Sequence, residues 1–406
     1  MRLGHAGCRA GPRRSNRTAV DVLDKRGGIP LVSRAARGDT LLASHDAGSL
    51  TERLVARGGS PSAARSAAAR IVRHAFSRDD AAEIPWGRST FADLGIGAWA
   101  HEALDALDPA PALTLHERAP AEDGTIRLLF RARADGALVE SVLIPGPGRT
   151  TLCISSQVGC ARACAFCETG RLGLERQLAA GEIIDQVRLA RAIFHEAGGA
   201  PPLSNLVFMG MGEPFDNLPE VLRALRLLTD DRAFGFAPSR VTVSTVGVAD
   251  KLPAFFAGTR AELAVSLNAP DDERRRTIMP INTRFPLAAL RDAIVGALPP
   301  GRRVLFEYVL FDRWNDAPED ADLLAAYVRP IRCRVNVIPC NPGPDPSLRP
   351  PTQERLDAFV ARLSSHGVTT LVRRPRGRDV GGACGQLAGA RRAERTFSLA
   401  TPKLPT

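Results

Sequence analysis

The chain has 406 residues, 44% of them hydrophobic, enough for a sizeable core and longer than one typical domain. A formal net charge of +10 and a pI near 9.8 draw polyanions to the surface; a GC-rich genome that favours arginine codons leaves the same excess, so charge alone does not assign a nucleic-acid partner. No apolar run reaches the about 18 residues of a membrane span, and the basic N-terminus lacks the apolar stretch of a secretory signal, so a cytoplasmic protein with no membrane partner is expected.

Residues 1–45 are rich in Arg, Gly, Ser and Ala with few large apolar groups, which predicts a basic, disordered tail. From Ser49 to about Leu107 the apolar spacing is helical, notably over 63–76 and 96–107 with a break at Pro85, and residues 46–120 are read as a small helical accessory domain. The period then changes. Ile126-Arg-Leu-Leu-Phe and Leu138-Val-Glu-Ser-Val-Leu-Ile flank Asp135-Gly136, a β-hairpin signature. It opens a core read over 121–390, followed by a tail over 391–406.

Beyond Pro145, strand patterns near 149–155, 203–209, 239–245, 261–267, 303–310, 332–338 and 368–373 alternate with helical ones such as 180–197 and 217–228. Alternation of this kind predicts an α/β protein with a parallel sheet wound into a full or partial (βα) barrel. Such a barrel works from the loops at the carboxyl ends of its strands.

The first of these strands leads into Cys160, Cys164 and Cys167, spaced Cys-x3-Cys-x2-Cys. Three thiolates can hold three irons of a cubane cluster and leave the fourth open to a small molecule. Structural zinc is the alternative; it takes four closed ligands, and here only Cys333 or Cys340 could supply a distant fourth. Eight cysteines in so long a chain are too sparse for a disulfide scaffold, and a reducing compartment suits cluster ligands.

Other polar groups fall at the same strand ends. Met209-Gly-Met-Gly-Glu-Pro214 follows the second strand; its glycines admit close backbone approach to a ligand, and Glu213 offers a carboxylate to an ammonium group. Ser244 ends the third strand, Ser266-Leu267-Asn268 the fourth and Asn341 the sixth. Each alone could be a satisfied strand-end residue; together they suit a pocket for a small cofactor.

Cys153-Ile-Ser-Ser-Gln-Val-Gly-Cys160, Ala-Arg-Ala-Cys164-Ala-Phe-Cys167, Met209-Gly-Met-Gly-Glu-Pro and Gly382-Ala-Cys384-Gly-Gln-Leu resemble the radical-SAM RNA methyltransferases of the RlmN/Cfr type, over roughly residues 50–390. The resemblance implies a partial radical-SAM barrel and a [4Fe-4S] cluster on Cys160, Cys164 and Cys167. It also implies S-adenosylmethionine (SAM) held by Gly212, Glu213, Ser244, Ser266, Leu267, Asn268 and Asn341.

The same resemblance implies methylation of an adenosine ring carbon with two SAM consumed per turnover. Cys384 takes a methyl group from one; the other, cleaved reductively, yields the radical that activates that methyl. Glu140 matches the proton acceptor, and Cys153 the thiol that resolves the RNA–protein bridge as a Cys153–Cys384 disulfide. Carbon 2 in large-subunit (23S) ribosomal RNA is the default target, with transfer RNA also possible. An electron donor such as flavodoxin and a monomeric state are expected.

Three departures from the family pattern stand out: Asn268 where a histidine is common, Glu168 after the cluster cysteines, and Cys340 in place of a bulky residue. RNA contacts are expected from Arg373, Arg374, Arg376 and Arg378 and from the N-terminal domain. A radical-SAM enzyme acting on a protein or small molecule, and a non-catalytic RNA-binding protein with a structural metal, are the alternative readings.

Overall fold

A computed structural model describes residues 39–77, 83–343 and 345–387. The strands in chain order are β1 (Leu113–Pro120), β2 (Ile126–Ala132), β3 (Leu138–Gly146), β4 (Arg149–Cys153), β5 (Gln157–Cys160), β6 (Gly173–Gln177), β7 (Leu203–Phe208), β8 (Val241–Thr245), β9 (Glu262–Ser266), β10 (Val304–Leu310), β11 (Cys333–Pro339) and β12 (Thr370–Val372). Ten of them form one sheet in the order β1-β2-β3-β4-β7-β8-β9-β10-β11-β12. The first four pair antiparallel. From β4 onward every pairing is parallel, and β1 and β12 stay apart at the two edges. The result is a partial barrel with an antiparallel extension.

Side-chain alternation gives the sheet two unlike faces. Leu206, Val241, Val243, Leu263, Val265, Phe306, Tyr308, Val335 and Val337 point to the helices and join the main hydrophobic core. Their neighbours Ser244, Ser266, Glu307, Val309 and Ile338 line a cavity on the other face. The strands are apolar on the helix side and selectively polar inside, as a ligand-bearing barrel requires.

The helices follow from local signals. Pro61–Phe76 starts at Ser60, whose side chain accepts the Ala63 N–H, with Pro61 in the first turn, a favoured N-terminal pairing. It buries Ala64, Ala67, Ala68, Ile71, Val72 and Ala75, a stripe of helical period. Helix Ala180–Glu196 is buried on nearly every side. It packs on β1, β2 and the helix Leu218–Leu228, and Glu182 closes its start by accepting the Ala179 N–H at 2.9 Å.

Three readings of the sequence change here. Leu113–Pro120, placed with the helical unit, is the edge strand β1; most of it is exposed, so it carries no apolar alternation to reveal it. The cysteine run does not follow the first parallel strand directly, because the short hairpin β5–β6 brackets it. Of the tail expected over 1–45, the described residues Leu42, Ala43 and Ser44 are buried in the core; residues 1–38, and the tail over 391–406, lie outside the described residues.

The N-terminal helices share one continuous core with the barrel. The Ser44 hydroxyl accepts the Gly181 N–H at 3.0 Å, and Phe76 stacks on Phe234 with ring centroids 5.8 Å apart. Among the described residues no helix is long and apolar enough to cross a membrane.

Candidate active site

Cys160 ends β5, and Cys164 and Cys167 lie in the turn before the short helix Glu168–Leu172. All three line the same cavity. Burial pushes the Cys160 thiol up to about 12, raises Cys164 well above the ordinary thiol value, and raises Cys167 as well; the neighbouring cysteines add to each shift. Three such thiols resist ionising together unless a cationic group compensates, and metal binding there releases protons.

The Arg162 N–H approaches the Cys160 sulfur at 3.5 Å, and the Arg162 side chain grips Asp216, fixing the turn. Among the described residues no three His, Cys, Asp or Glu side chains converge as ligands of a single ion. The thiols share a cavity wall instead, an arrangement that suits a group bearing several metal atoms.

The loop after β7 forms the next wall. Gly212 has φ +98°, and a Cβ there would meet the Gln157 side chain at 2.5 Å, so only glycine lets the backbone run this close. Gln157 accepts the Glu213 N–H at 2.7 Å. The buried Glu213 carboxylate accepts the Phe215 and Val246 N–H groups, each at 2.9 Å. Burial nevertheless pushes it up to about 7, a carboxyl ready to ionise fully when an ammonium group arrives.

Ser244 and Ser266 line the cavity. Leu267 points the other way and belongs to the main core. Asn268 has φ +60°, a left-handed conformation that asparagine tolerates better than most residues. It lines the cavity too, with Oδ1 accepting the Val309 N–H at 2.9 Å and Nδ2 donating to the Met279 sulfur at 3.3 Å. The fully buried Arg275 ties these strand ends together through the carbonyls of Leu267, Val246 and Ser266.

Asn341 lines the cavity and bridges two groups, donating to the Cys384 carbonyl at 3.1 Å and accepting from Arg378 Nε at 2.9 Å. The Cys384 loop is clamped to the cysteine turn. The Glu168 N–H donates to the Gly385 carbonyl at 2.8 Å, and the Thr169 hydroxyl donates to the Leu387 carbonyl at 2.7 Å. Cys384 lines the main cavity and also a smaller one, which it shares with Cys153, Met209 and Arg373. Both thiols are free; burial, reinforced by Cys384, pushes Cys153 up to about 12.

Glu140 lines neither cavity. It is fully buried on β3 and pairs with Arg127 at 2.9 Å, and Arg127 Nε donates to the Val380 carbonyl in the Cys384 loop at 3.0 Å. It is therefore not an outward-facing strand residue.

The four arginines proposed to meet RNA divide. Arg376 pairs with Asp123 at 2.7 Å, and Arg378 holds Asn341. Arg373 turns into both cavities and donates to the Met209 sulfur at 3.1 Å. Arg374 is exposed at the rim of the smaller cavity. Glu307 is a cavity residue that the sequence reading missed, and Arg373, read there as an RNA contact, is a cavity residue as well. The signal for Glu307 was one carboxylate inside the apolar strand Val304-Leu-Phe-Glu-Tyr-Val-Leu310.

A family model described as the radical SAM superfamily matches residues 154–325. A probable RNA methyltransferase of Sorangium cellulosum is 73% identical over 90% of this chain and 92% of its own length. The dual-specificity RNA methyltransferase RlmN of Syntrophobacter fumaroxidans is 44% identical over 68% of this chain and 80% of its own. The crystal structure of a radical SAM methyltransferase from Sphaerobacter thermophilus superposes with a TM-score of 0.73 at 37% identity, covering 86% of this chain and 98% of that one.

Proposed function

Because the chain belongs to the radical-SAM RNA methyltransferases of the RlmN kind, we propose that it methylates an adenosine ring carbon, by default carbon 2 of 23S ribosomal RNA and also in transfer RNA, through a methyl group carried on Cys384. The observation that carries this reading is the position of Cys384. It borders the cavity walled by Cys160, Cys164 and Cys167 and also the one walled by Cys153, where a carrier between two steps has to stand.

Cys160, Cys164 and Cys167 would hold the [4Fe-4S] cluster that the family implies, and the cluster with SAM supplies the radical chemistry an unactivated ring C–H demands. Glu213 takes the methionyl ammonium, and the Gly212 backbone lets the ligand lie close. Ser244, Ser266, Asn268 and Asn341 line its course, with Leu267 between Ser266 and Asn268 at the strand end. Two SAM are consumed per turnover. Cys153 resolves the bridged RNA, leaving a Cys153–Cys384 disulfide for reduction.

Glu140 is assigned the uptake of the ring proton, as the family pattern implies, and its link to the Cys384 loop is Arg127, which pairs with it and donates to the Val380 carbonyl. The helices over 46–120 help hold RNA, and a flavodoxin-like donor supplies electrons to a cytoplasmic monomer.

Mass spectrometry of adenosines from cells with and without the gene tests the product. With purified protein, Cys384→Ala is expected to abolish RNA methylation while leaving reductive SAM cleavage, and Cys153→Ala to accumulate protein covalently joined to RNA. Methylation surviving in Cys384→Ala would overturn the carrier role.

A further inference from the structure

The inner face of the barrel holds a second buried carboxylate to which no step above gives a task. Glu307 on β10 lies in register with Ser266 on β9 and Asn336 on β11. It is 4% exposed and lines the main cavity. Its Oε1 accepts the Asn336 amide at 3.0 Å. Its Oε2, equally buried, has no hydrogen-bond partner. A buried carboxylate oxygen without a donor is costly, and in native proteins such atoms commonly mark the place of a ligand or ion. Burial pushes this carboxyl up, with Arg373 and the Asn336 amide offsetting the shift in part.

The chemistry of the cavity narrows what the missing donor can be. The ammonium of an amino-acid-bearing nucleoside is already matched by Glu213, at the cysteine side, and its carboxylate would be repelled by Glu307. What remains on such a ligand as a strong donor to a carboxylate is the ribose diol, the pairing used by acidic residues in dinucleotide sites. Ser266 and Glu307 stand one strand apart, about 4.8 Å, so a ligand running past Ser266 is within reach of Glu307. Asn336 keeps the carboxylate from turning away.

We propose that Glu307 forms a ribose subsite, its unpartnered oxygen accepting a hydrogen bond from a ribose hydroxyl of bound SAM. This assignment rests on the cofactor reading above and adds a residue to it.

The test is equilibrium binding of S-adenosylhomocysteine and its 2′-deoxy and 3′-deoxy analogues to the cluster-loaded full chain under anaerobic conditions. The wild type is expected to bind at least one deoxy analogue about tenfold to a hundredfold more weakly than the parent, the range of a lost hydrogen bond to a charged group. Glu307→Gln and Glu307→Ala are expected to bind the parent more weakly and to lose that discrimination, with iron content and thermal unfolding confirming that they fold.

Equal affinity of the wild type for parent and both deoxy analogues overturns the proposal, and this arm does not depend on any variant folding. Variants that keep full discrimination overturn it too. So do variants with unaltered nucleoside binding but weakened RNA binding, which would place the donor on the target base. No binding of the parent to the wild type would sink the cofactor reading itself, a different result from any of these.

Discussion

Glu213 shows how a single side chain can be held in waiting. Both its oxygens are satisfied by backbone N–H groups, yet burial lifts its carboxyl from 4.5 to about 7. The folded protein thus binds this proton more tightly than the unfolded chain does. The contribution of the group to stability is complete below about pH 4.5 and is lost as pH rises through about 7, up to about 3 kcal/mol in all. Glu213→Gln cannot show that loss. Denaturant unfolding at about pH 5 and about pH 8 should therefore find the wild type losing ground to the variant as pH rises. Saturating S-adenosylhomocysteine should shrink the wild-type loss, because the ligand ammonium draws the carboxyl back down. A stability gap that ignores both pH and ligand would remove Glu213 from the ammonium site.

At the scale of elements, the decisive contact is between two loops far apart in sequence. Glu168 and Thr169 fasten the segment 384–387 onto the cysteine turn, with Asn341 after β11 holding the Cys384 carbonyl from the other side, and Gly385 makes the close approach possible: its φ is +83°, and a Cβ would stand 3.0 Å from the Phe166 carbonyl. Gly385→Ala is expected to cost about 1–2 kcal/mol, from the left-handed backbone alone, and to loosen the clamp. Faster alkylation of Cys384 by iodoacetamide checks it; an unchanged rate would show that the loop does not depend on this contact. Glu168, a departure from the family pattern, acts here through its backbone N–H, which any residue but proline supplies. That is why sequence could not foretell the clamp. The parallel strands were legible because their outward residues are uniformly apolar, and the cysteine turn because its spacing is chemically restrictive. Edge strand β1 and the four-residue strand β5 were not legible, since neither buries a periodic apolar face. Asn268, read as a ligand contact from its place at a strand end, does line the cavity, but its left-handed backbone and the hydrogen bonds of its amide to Val309 and Met279 were not legible. Backbone handedness of that kind leaves no mark in residue order.

Over the whole molecule, the question is where a net charge of +10 acts. Arginines near the Cys384 loop are not equivalent: Arg376 and Arg378 are engaged with Asp123 and Asn341, and Arg373 faces the cavities, whereas Arg374 is exposed beside the Cys153–Cys384 cavity. Arg65 and Arg73 on the helix Pro61–Phe76 and Arg118 on β1 are exposed as well. Exposed guanidinium groups that neutralise phosphates release counterions, so RNA affinity should fall with salt by roughly 0.7 to 0.9 log units per log unit of salt for each phosphate contacted. Arg374→Gln is expected to weaken binding and to flatten that slope by about one contact. Arg378→Gln is expected to keep the slope and instead lower the methylation rate, because its partner Asn341 holds the Cys384 carbonyl. Filter binding over a salt series, with methylation measured on the same preparations, separates the two. Equal slopes for Arg374→Gln and wild type would move the phosphate contacts away from the cavity rim, toward the helical face that carries Arg65 and Arg73.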